Sequence, residues 1–541
     1  MARERRNSML WIISPVPDRS IQTGSISVMT RKKIDSTWLV VIAPAAILFS
    51  LLLWCTPNGL GVSPDSVSYL KGARGLLNER SFDFISSQWP PLYPVLIAVV
   101  SKVLNTDVLL GSRVLSAFFY ALTYLLTLAV LVECFQVKRL AASIISLVVC
   151  AQVPITHIYF YAWSEPCLIN CLLLNFLALS RYAQASDDRK LGWFFALFLI
   201  STAALMTRFA GVSVVVLNAV ALLLIGAPGR VFHRLLFSTT QLVLPMLIFV
   251  LWLHHHAVTD GSATDRTVEF HLITLSRLVE GLVTIGKWFF PYTFPDYLLG
   301  DLSHVFVLIG SAVILLLSVS SLSLLIKFAK DWRYQISSLD ILTGFSVCYL
   351  MFLVTAISFV DNKISLDNRI LLPFFITCML AVVGWANGLS CLKQRILLLA
   401  VLLYCVVPAS ADLRAWLLLN RYGGVEMASK SHQNQALYQF LRACQKNVIV
   451  YADEPWNIDL YFDNKVFWLP STTLFNTGHL NAQYEKEFEG LETNADLIVV
   501  EKASQALNRL FDSSSFRLIY LKNNQAIFQN SRRVDALCNV D

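Results

Sequence analysis

What most constrains this chain is a run of apolar residues that recurs about eleven times along it, at about 38–54, 109–135, 140–161, 167–179, 191–207, 212–225, 235–253, 305–326, 339–360, 370–386 and 396–408. A helix needs about 20 apolar residues to cross the hydrocarbon of a bilayer, and most of these runs approach that length. With 56% hydrophobic and only 15% charged residues in 541, a large soluble protein is excluded. The composition is that of a polytopic α-helical membrane protein of about eleven transmembrane helices.

The charged residues between the runs set an orientation. Residues 1–36 form a basic tail ending in Arg31, Lys32 and Lys33, which keeps it cytoplasmic, and residues 38–54 then read as an uncleaved anchor. Alternate connections are basic: Lys138 with Arg139, Arg181 with Arg189 and Lys190, Arg230 with Arg234, Lys327 with Lys330 and Arg333, Lys393 with Arg395. The formal net charge of +7 is therefore spent on orienting spans, and a nucleic-acid partner is set aside. The other side receives the long loops 56–108 and 254–304, the turn 361–369 and everything after about residue 413. An odd number of spans places the C-terminus outside. The chain thus divides into the tail 1–36, a transmembrane region 37–412 and an extracytoplasmic α/β domain 413–541. In that domain, 433–444 reads as an amphipathic helix, 447–452 and 497–500 as strands, and 516–521 with 525–529 as a hairpin over Asn523-Asn524. The eleven cysteines show no metal-ligand spacing. Cys167 and Cys171 read as small core residues, while Cys444 and Cys538 are either a disulfide or two thiols.

The first long polar interruption, Ser63 to Leu96, reads SPDSVSYLKGARGLLNERSFDFISSQWPPLYPVL. Ser63-Pro64-Asp65 has the form of a helix start, with a capping hydroxyl, proline at the first position and an acid facing the dipole. A catalytic carboxylate at Asp65 is compatible with that role. Ser164-Glu165-Pro166 has the same form, and an acid at membrane depth tends to mark function. Arg113, Arg208 and Arg369 lie at the external ends of runs, where orientation gives no reason for a cation. Snorkelling to headgroups is one account; bidentate binding of a phosphate is the other. Lys71 and Arg74 add positive charge from the loop. His254, His255 and His256, near Asp260 and Asp265, cannot all face one ion from a regular helix, so they read as an interfacial loop rather than a metal site. The aromatic stretch from Lys287 to Tyr292 suits the headgroup region.

Ser63, Pro64 and Asp65, followed by Tyr69, Lys71, Gly72 and Arg74 and then Pro90-Pro91-Leu92-Tyr93-Pro94, resemble the first external loop of the GT-C glycosyltransferases, a superfamily that includes protein O-mannosyltransferases and lipid A aminoarabinose transferases. Asp367-Asn368-Arg369-Ile370-Leu371-Leu372-Pro373 resembles the Arg-Tyr-Leu-Pro-like segment opening a late span there, with Ile370 in place of the usual Tyr. The resemblance covers about residues 38–390 and is absent from the C-terminal domain. It implies an inverting transferase of the inner membrane that moves a sugar from a polyprenyl phosphate to a lipid, glycan or protein on the extracytoplasmic side. Asp65 would be the base, Glu165 would orient acceptor or cation, and Lys71, Arg74, Arg113, Arg208 and Arg369 would hold the donor phosphate. No cofactor is required, and a divalent metal is left open. Two rivals stand beside it: a secondary transporter or lipid flippase, which calls for matching halves with midplane charges, and a sensor or scaffold carrying an external domain. No internal repeat is visible in the sequence.

Overall fold

The computed structural model describes residues 37–82, 85–225, 231–259, 270, 272–288, 302–330, 337–361, 364–387, 389, 416–425, 428–444, 448–459, 465–473, 480–501, 505–522 and 525–532. The first ten apolar runs fall on helices: α1 (Thr37–Cys55), α4 (Val108–Glu133), α5 (Arg139–Cys150) with α6 (Val153–Tyr159), α7 (Glu165–Gln184), α8 (Asp187–Thr207), α9 (Val212–Leu224), α10 (Val231–Thr259), α12 (Ser303–Lys330), α13 (Ser338–Phe359) and α14 (Leu372–Asn387). The eleventh run, 396–408, lies outside the described residues, as do residues 1–36 and Asp83. Between these come α2 (Pro64–Asn78) and α3 (Leu92–Leu104) in the first long loop and α11 (Leu275–Lys287) in the second.

By length and composition, six of these helices can cross a membrane: α4, α7, α8, α10, α12 and α13. Helices α1, α3, α9 and α14 are apolar but shorter. Run 140–161, expected as one span, is broken by 68° between α5 and α6. The break follows from Gln152-Val153-Pro154: proline within the first turn suits a new helix start and cannot donate to the previous one. In their most apolar stretches α7 and α4 are mostly buried, 78% and 67%, whereas α12 and α10 are only 11% and 17% buried. The exposed leucines, valines and phenylalanines of α10 and α12 therefore form the apolar outer surface that a bilayer covers. Inside, polar side chains pair across helices, as in the reciprocal 2.8 Å amide bonds of Asn175 on α7 and Asn218 on α9.

The C-terminal part is a five-stranded sheet of order β2-β1-β3-β5-β4, with β1 (Ile449–Ala452) parallel to β2 (Lys465–Trp468) and β3 (Leu497–Val500), and β5 (Gln525–Asn530) antiparallel to β3 and β4 (Phe516–Lys522). Alternation along the strands splits the core in two. Val450, Ala452, Leu497 and Val499 face α15 (Ala436–Ala443), while Ile498, Val500 and Phe528 face α16 (Tyr484–Asn494) and α17 (Gln505–Phe511). The expected strands and hairpin are present; β2, α16 and α17 were not foreseen. Cys444 is disulfide-bonded, and Cys538, the candidate partner in one of the two readings above, lies outside the described residues.

The segment leading into this domain is clasped to the loop before α2. Asn58 N donates to Gly423 O at 3.0 Å, and Asn420 Nδ2 to Trp54 O at 2.6 Å. Gly423 has φ +85°, and a Cβ there would stand 2.2 Å from Asn58 Nδ2, so the clasp needs glycine. The start of α2 is thereby held from both sides in sequence.

Candidate active site

Four ends of helices meet at the site. On α2, Ser63 is the N-cap, its hydroxyl accepting from Ser66 N at 3.4 Å. Because Ser63 does the capping, the Asp65 carboxylate is free to leave its own helix, and its Oδ2 accepts from Arg369 Nη2 at 2.5 Å. Arg369 lies in the turn before α14, where Asp367 Oδ1 accepts from Arg369 N at 2.9 Å and Ile370 N at 3.0 Å, and Tyr349 OH donates to Ile370 O at 2.6 Å. Glu165 opens α7 as an acid in the first turn. Arg208 stands at the break between α8 and α9, with an extended backbone (φ −154°, ψ 149°). The tight reversal that follows needs Gly211, whose Cβ would lie 2.3 Å from the Ala204 carbonyl carbon.

The four charges form one cluster. Glu165 Oε1 takes Arg208 Nη1 at 2.7 Å and also Arg369 Nε. Arg369 thus bridges the two carboxylates, and Glu165 bridges the two guanidiniums. Arg208 Nη1 also donates to Ser164 Oγ at 3.2 Å, and Ser164 Oγ is 3.0 Å from Tyr69 OH, one turn beyond Asp65 on α2. Beneath Arg369 lies the Trp163 ring, 4.2 Å from the guanidinium carbon, stacked in turn on Tyr161. Trp163 Nε1 donates to Ser63 Oγ at 2.7 Å, so the aromatic platform and the α2 cap are one unit.

Two carboxylates balance two guanidiniums, which is the condition for charges to persist away from water. Burial by itself works against the charge on Arg369, but the Glu165 and Asp65 carboxylates outweigh it and hold the guanidinium above its ordinary value. Burial keeps the Tyr69 phenol above its ordinary value too, so it serves as a neutral hydrogen-bond partner rather than a base. Exposure separates the acids: the Glu165 side chain is 4% exposed, that of Asp65 22%. Glu165 is the internal clamp of the arginines, and Asp65 is the acid an incoming molecule can reach. Each guanidinium carries five N–H donors, and Arg369 spends two on the carboxylates. The remainder can meet an anion without breaking the cluster.

No protein-family model matches the sequence, and no curated protein matches it. Solved structures do match. ArnT from Cupriavidus metallidurans bound to undecaprenyl phosphate superposes with a TM-score of 0.57 at 12% identity, over 94% of this chain and 100% of that one. The apo state of that protein gives 0.50 at 13% identity, over 90% and 97%. A weaker likeness, TM-score 0.46 at 13% identity over 86% and 69%, is to an oligosaccharyltransferase from Archaeoglobus fulgidus. The chain has the GT-C glycosyltransferase fold. In this fold the sequence-predicted residues separate into two groups. Asp65, Glu165, Arg208 and Arg369 converge. Arg113 instead donates to Thr56 Oγ1 at 3.2 Å and to Leu53 O, closing the carbonyl end of α1. Lys71 is exposed and Arg74 half-buried further along α2; at about 100° per residue, nine residues put Arg74 on the opposite side of the helix from Asp65.

The histidines correct an expectation. His254, His255 and His256 are not in a loop but on the last turns of α10, where Trp252 stands 4.4 Å from His256, ring to ring. Asp260 and Asp265 lie outside the described residues, and among the described residues no group of three His, Cys, Asp or Glu is placed to hold a metal ion. Sequence reasoning missed Ser164 and the platform role of Trp163. The signal was present as Trp163-Ser164-Glu165-Pro166, where an aromatic and a hydroxyl precede a helix-opening acid.

Proposed function

We propose that the protein is an inverting glycosyltransferase that moves a sugar from a polyprenyl-phosphate donor to a lipid, glycan or protein acceptor on the extracytoplasmic face of the inner membrane. The observation that carries this reading is the buried cluster of Asp65, Arg369, Glu165 and Arg208, one reachable carboxylate beside two fixed guanidiniums. The GT-C fold supports it, and the ArnT structure superposed above is bound to undecaprenyl phosphate, the class of lipid proposed here.

The steps can be written with this chain's own side chains. Asp65 takes the proton from an acceptor hydroxyl or amine as its lone pair attacks the anomeric carbon. The bond from that carbon to the phosphate oxygen breaks on the opposite face, and its electron pair leaves with the polyprenyl phosphate. Arg369 and Arg208 stabilise the developing phosphate charge, which is worth most where water is excluded. Glu165 holds both guanidiniums, and the Trp163 ring supports that of Arg369. Lys71 and Arg74 add an outer positive field that draws the anionic donor.

Eleven spans, with the tail 1–36 cytoplasmic and the α/β domain outside, complete the proposal. The disulfide at Cys444 supports it, since such bonds persist in oxidising compartments. Reporter fusions after Lys330 are expected to read cytoplasmic and fusions after Ala452 external; a cytoplasmic Ala452 fusion would reverse the side of the site. Membranes containing the protein are expected to transfer sugar from a polyprenyl-phosphate-linked donor, and mass spectrometry of surface glycans and lipids should show a sugar that is lost with the gene. No sugar lost and no transfer from any polyprenyl-linked donor would overturn the reading.

A further inference from the structure

The Trp288 indole at the end of α11 donates its Nε1–H to Asn368 Oδ1 at 2.9 Å, although the two are 80 residues apart. Asn368 immediately precedes Arg369, inside the turn that Asp367 and Tyr349 fix by hydrogen bonds to its backbone. Trp288 is only 5% exposed, packed 5.0 Å from Phe375 and 5.9 Å from Phe374 on α14. The helix that carries Trp288 packs closely against its neighbours. A Cβ on Gly286 would lie 2.2 Å from Phe306 O of α12, and one on Gly281 would lie 2.9 Å from Leu366 Cδ1. Trp288 is thereby tied to the very turn that presents the guanidinium.

We infer that Trp288 and Asn368 are positioning residues for the donor phosphate: their hydrogen bond fixes the direction in which Arg369 presents its remaining N–H groups. This inference rests on the proposed function, because it assigns the residues that aim the phosphate-binding arginine. Arg369 is drawn by the carboxylates of Asp65 and Glu165. Without a hold on its own turn, those partners would draw the guanidinium toward themselves and away from an incoming anion. Trp288→Phe removes the Nε1–H donor while leaving an aromatic ring against Phe374 and Phe375, and Asn368→Leu removes the amide acceptor from a side chain of similar size.

The test is binding of undecaprenyl phosphate to the full chain in lipid nanodiscs, with transfer kinetics alongside. Each single variant is expected to bind about fivefold more weakly, the fold-change of one net hydrogen bond, and to raise KM for the lipid donor with kcat little changed. The double variant should lose no more than either single, since both remove the same bond. Wild-type binding and KM in both singles at normal protein level, or losses that multiply in the double, would overturn the inference. Lost thermal stability with unchanged KM would make the pair merely structural and overturn it equally. Failure of the wild-type protein to bind undecaprenyl phosphate would instead sink the proposed function, so the two failures are distinct.

Discussion

Asp65→Asn should lower sugar transfer by roughly 100- to 10,000-fold, the range credited to a positioned general base. The amide keeps the shape of the first turn of α2 and can still accept from Arg369, but it cannot take a proton at neutral pH. The helix start itself should survive, because Ser63 and not Asp65 supplies the capping oxygen. Loss of the charge from the first turn costs on the order of 0.3 to 1 kcal/mol, and the lost pair with Arg369 costs less than a fully buried one because the Asp65 side chain is 22% exposed and Arg369 retains Glu165 as a partner. Protein level and unfolding temperature should therefore stay near wild type. Asp65 also steadies Arg369, so kinetics must separate the two roles. A lost base lowers kcat with KM for the lipid donor little changed, whereas a misplaced arginine raises that KM. Transfer within a few-fold of wild type would remove Asp65 from the chemistry and leave it as an ion-pair partner.

Much of the fold was legible because its rules are local. The length of an apolar run, the Ser-Pro-Asp helix start, the short apolar run 497–500 and the hairpin pattern of 516–529 all act over a few residues, and α2, β3 and the β4–β5 hairpin appear where they were expected. The bend at Gln152 was hidden by composition, since the run stays apolar through it and only Pro154 marks the break. Strand β2, Lys465–Trp468, was not expected: it pairs in parallel with β1 through a connection that the local sequence does not announce. Candidate charges were legible as cations and acids where membrane orientation does not call for them. Their pairing was not: Asp65 and Arg369 are 304 residues apart and Glu165 and Arg369 204, and nothing local links them. Arg113 shows the limit from the other side. It has the same residue type and the same placement at a helix end as Arg208, and only the carbonyls of α1 beside it decide that it serves a helix terminus.

Glu165→Gln should be the most damaging single change to the fold of the membrane region. Its carboxylate is the common partner of Arg208 and Arg369, whose side chains are 11% and 18% exposed. Removing the charge leaves two guanidiniums facing each other across a neutral amide, with Asp65 the one remaining carboxylate of the cluster. Breaking a buried ion pair from one side costs about 3 to 5 kcal/mol, because the survivor stays buried without compensation. The expected readout is a large drop in folded yield from membranes and in the unfolding temperature in nanodiscs, with transfer lost for that reason. A second change separates charge from packing. In Glu165→Gln with Arg208→Gln, one cation goes with the anion and Arg369 keeps Asp65, so the double variant should be more stable than Glu165→Gln alone. It should still fail to transfer, having lost one of the two guanidiniums that meet the phosphate. Additive losses in the double variant, or a Glu165→Gln protein as stable as wild type, would show that Glu165 is not the clamp on which both arginines depend.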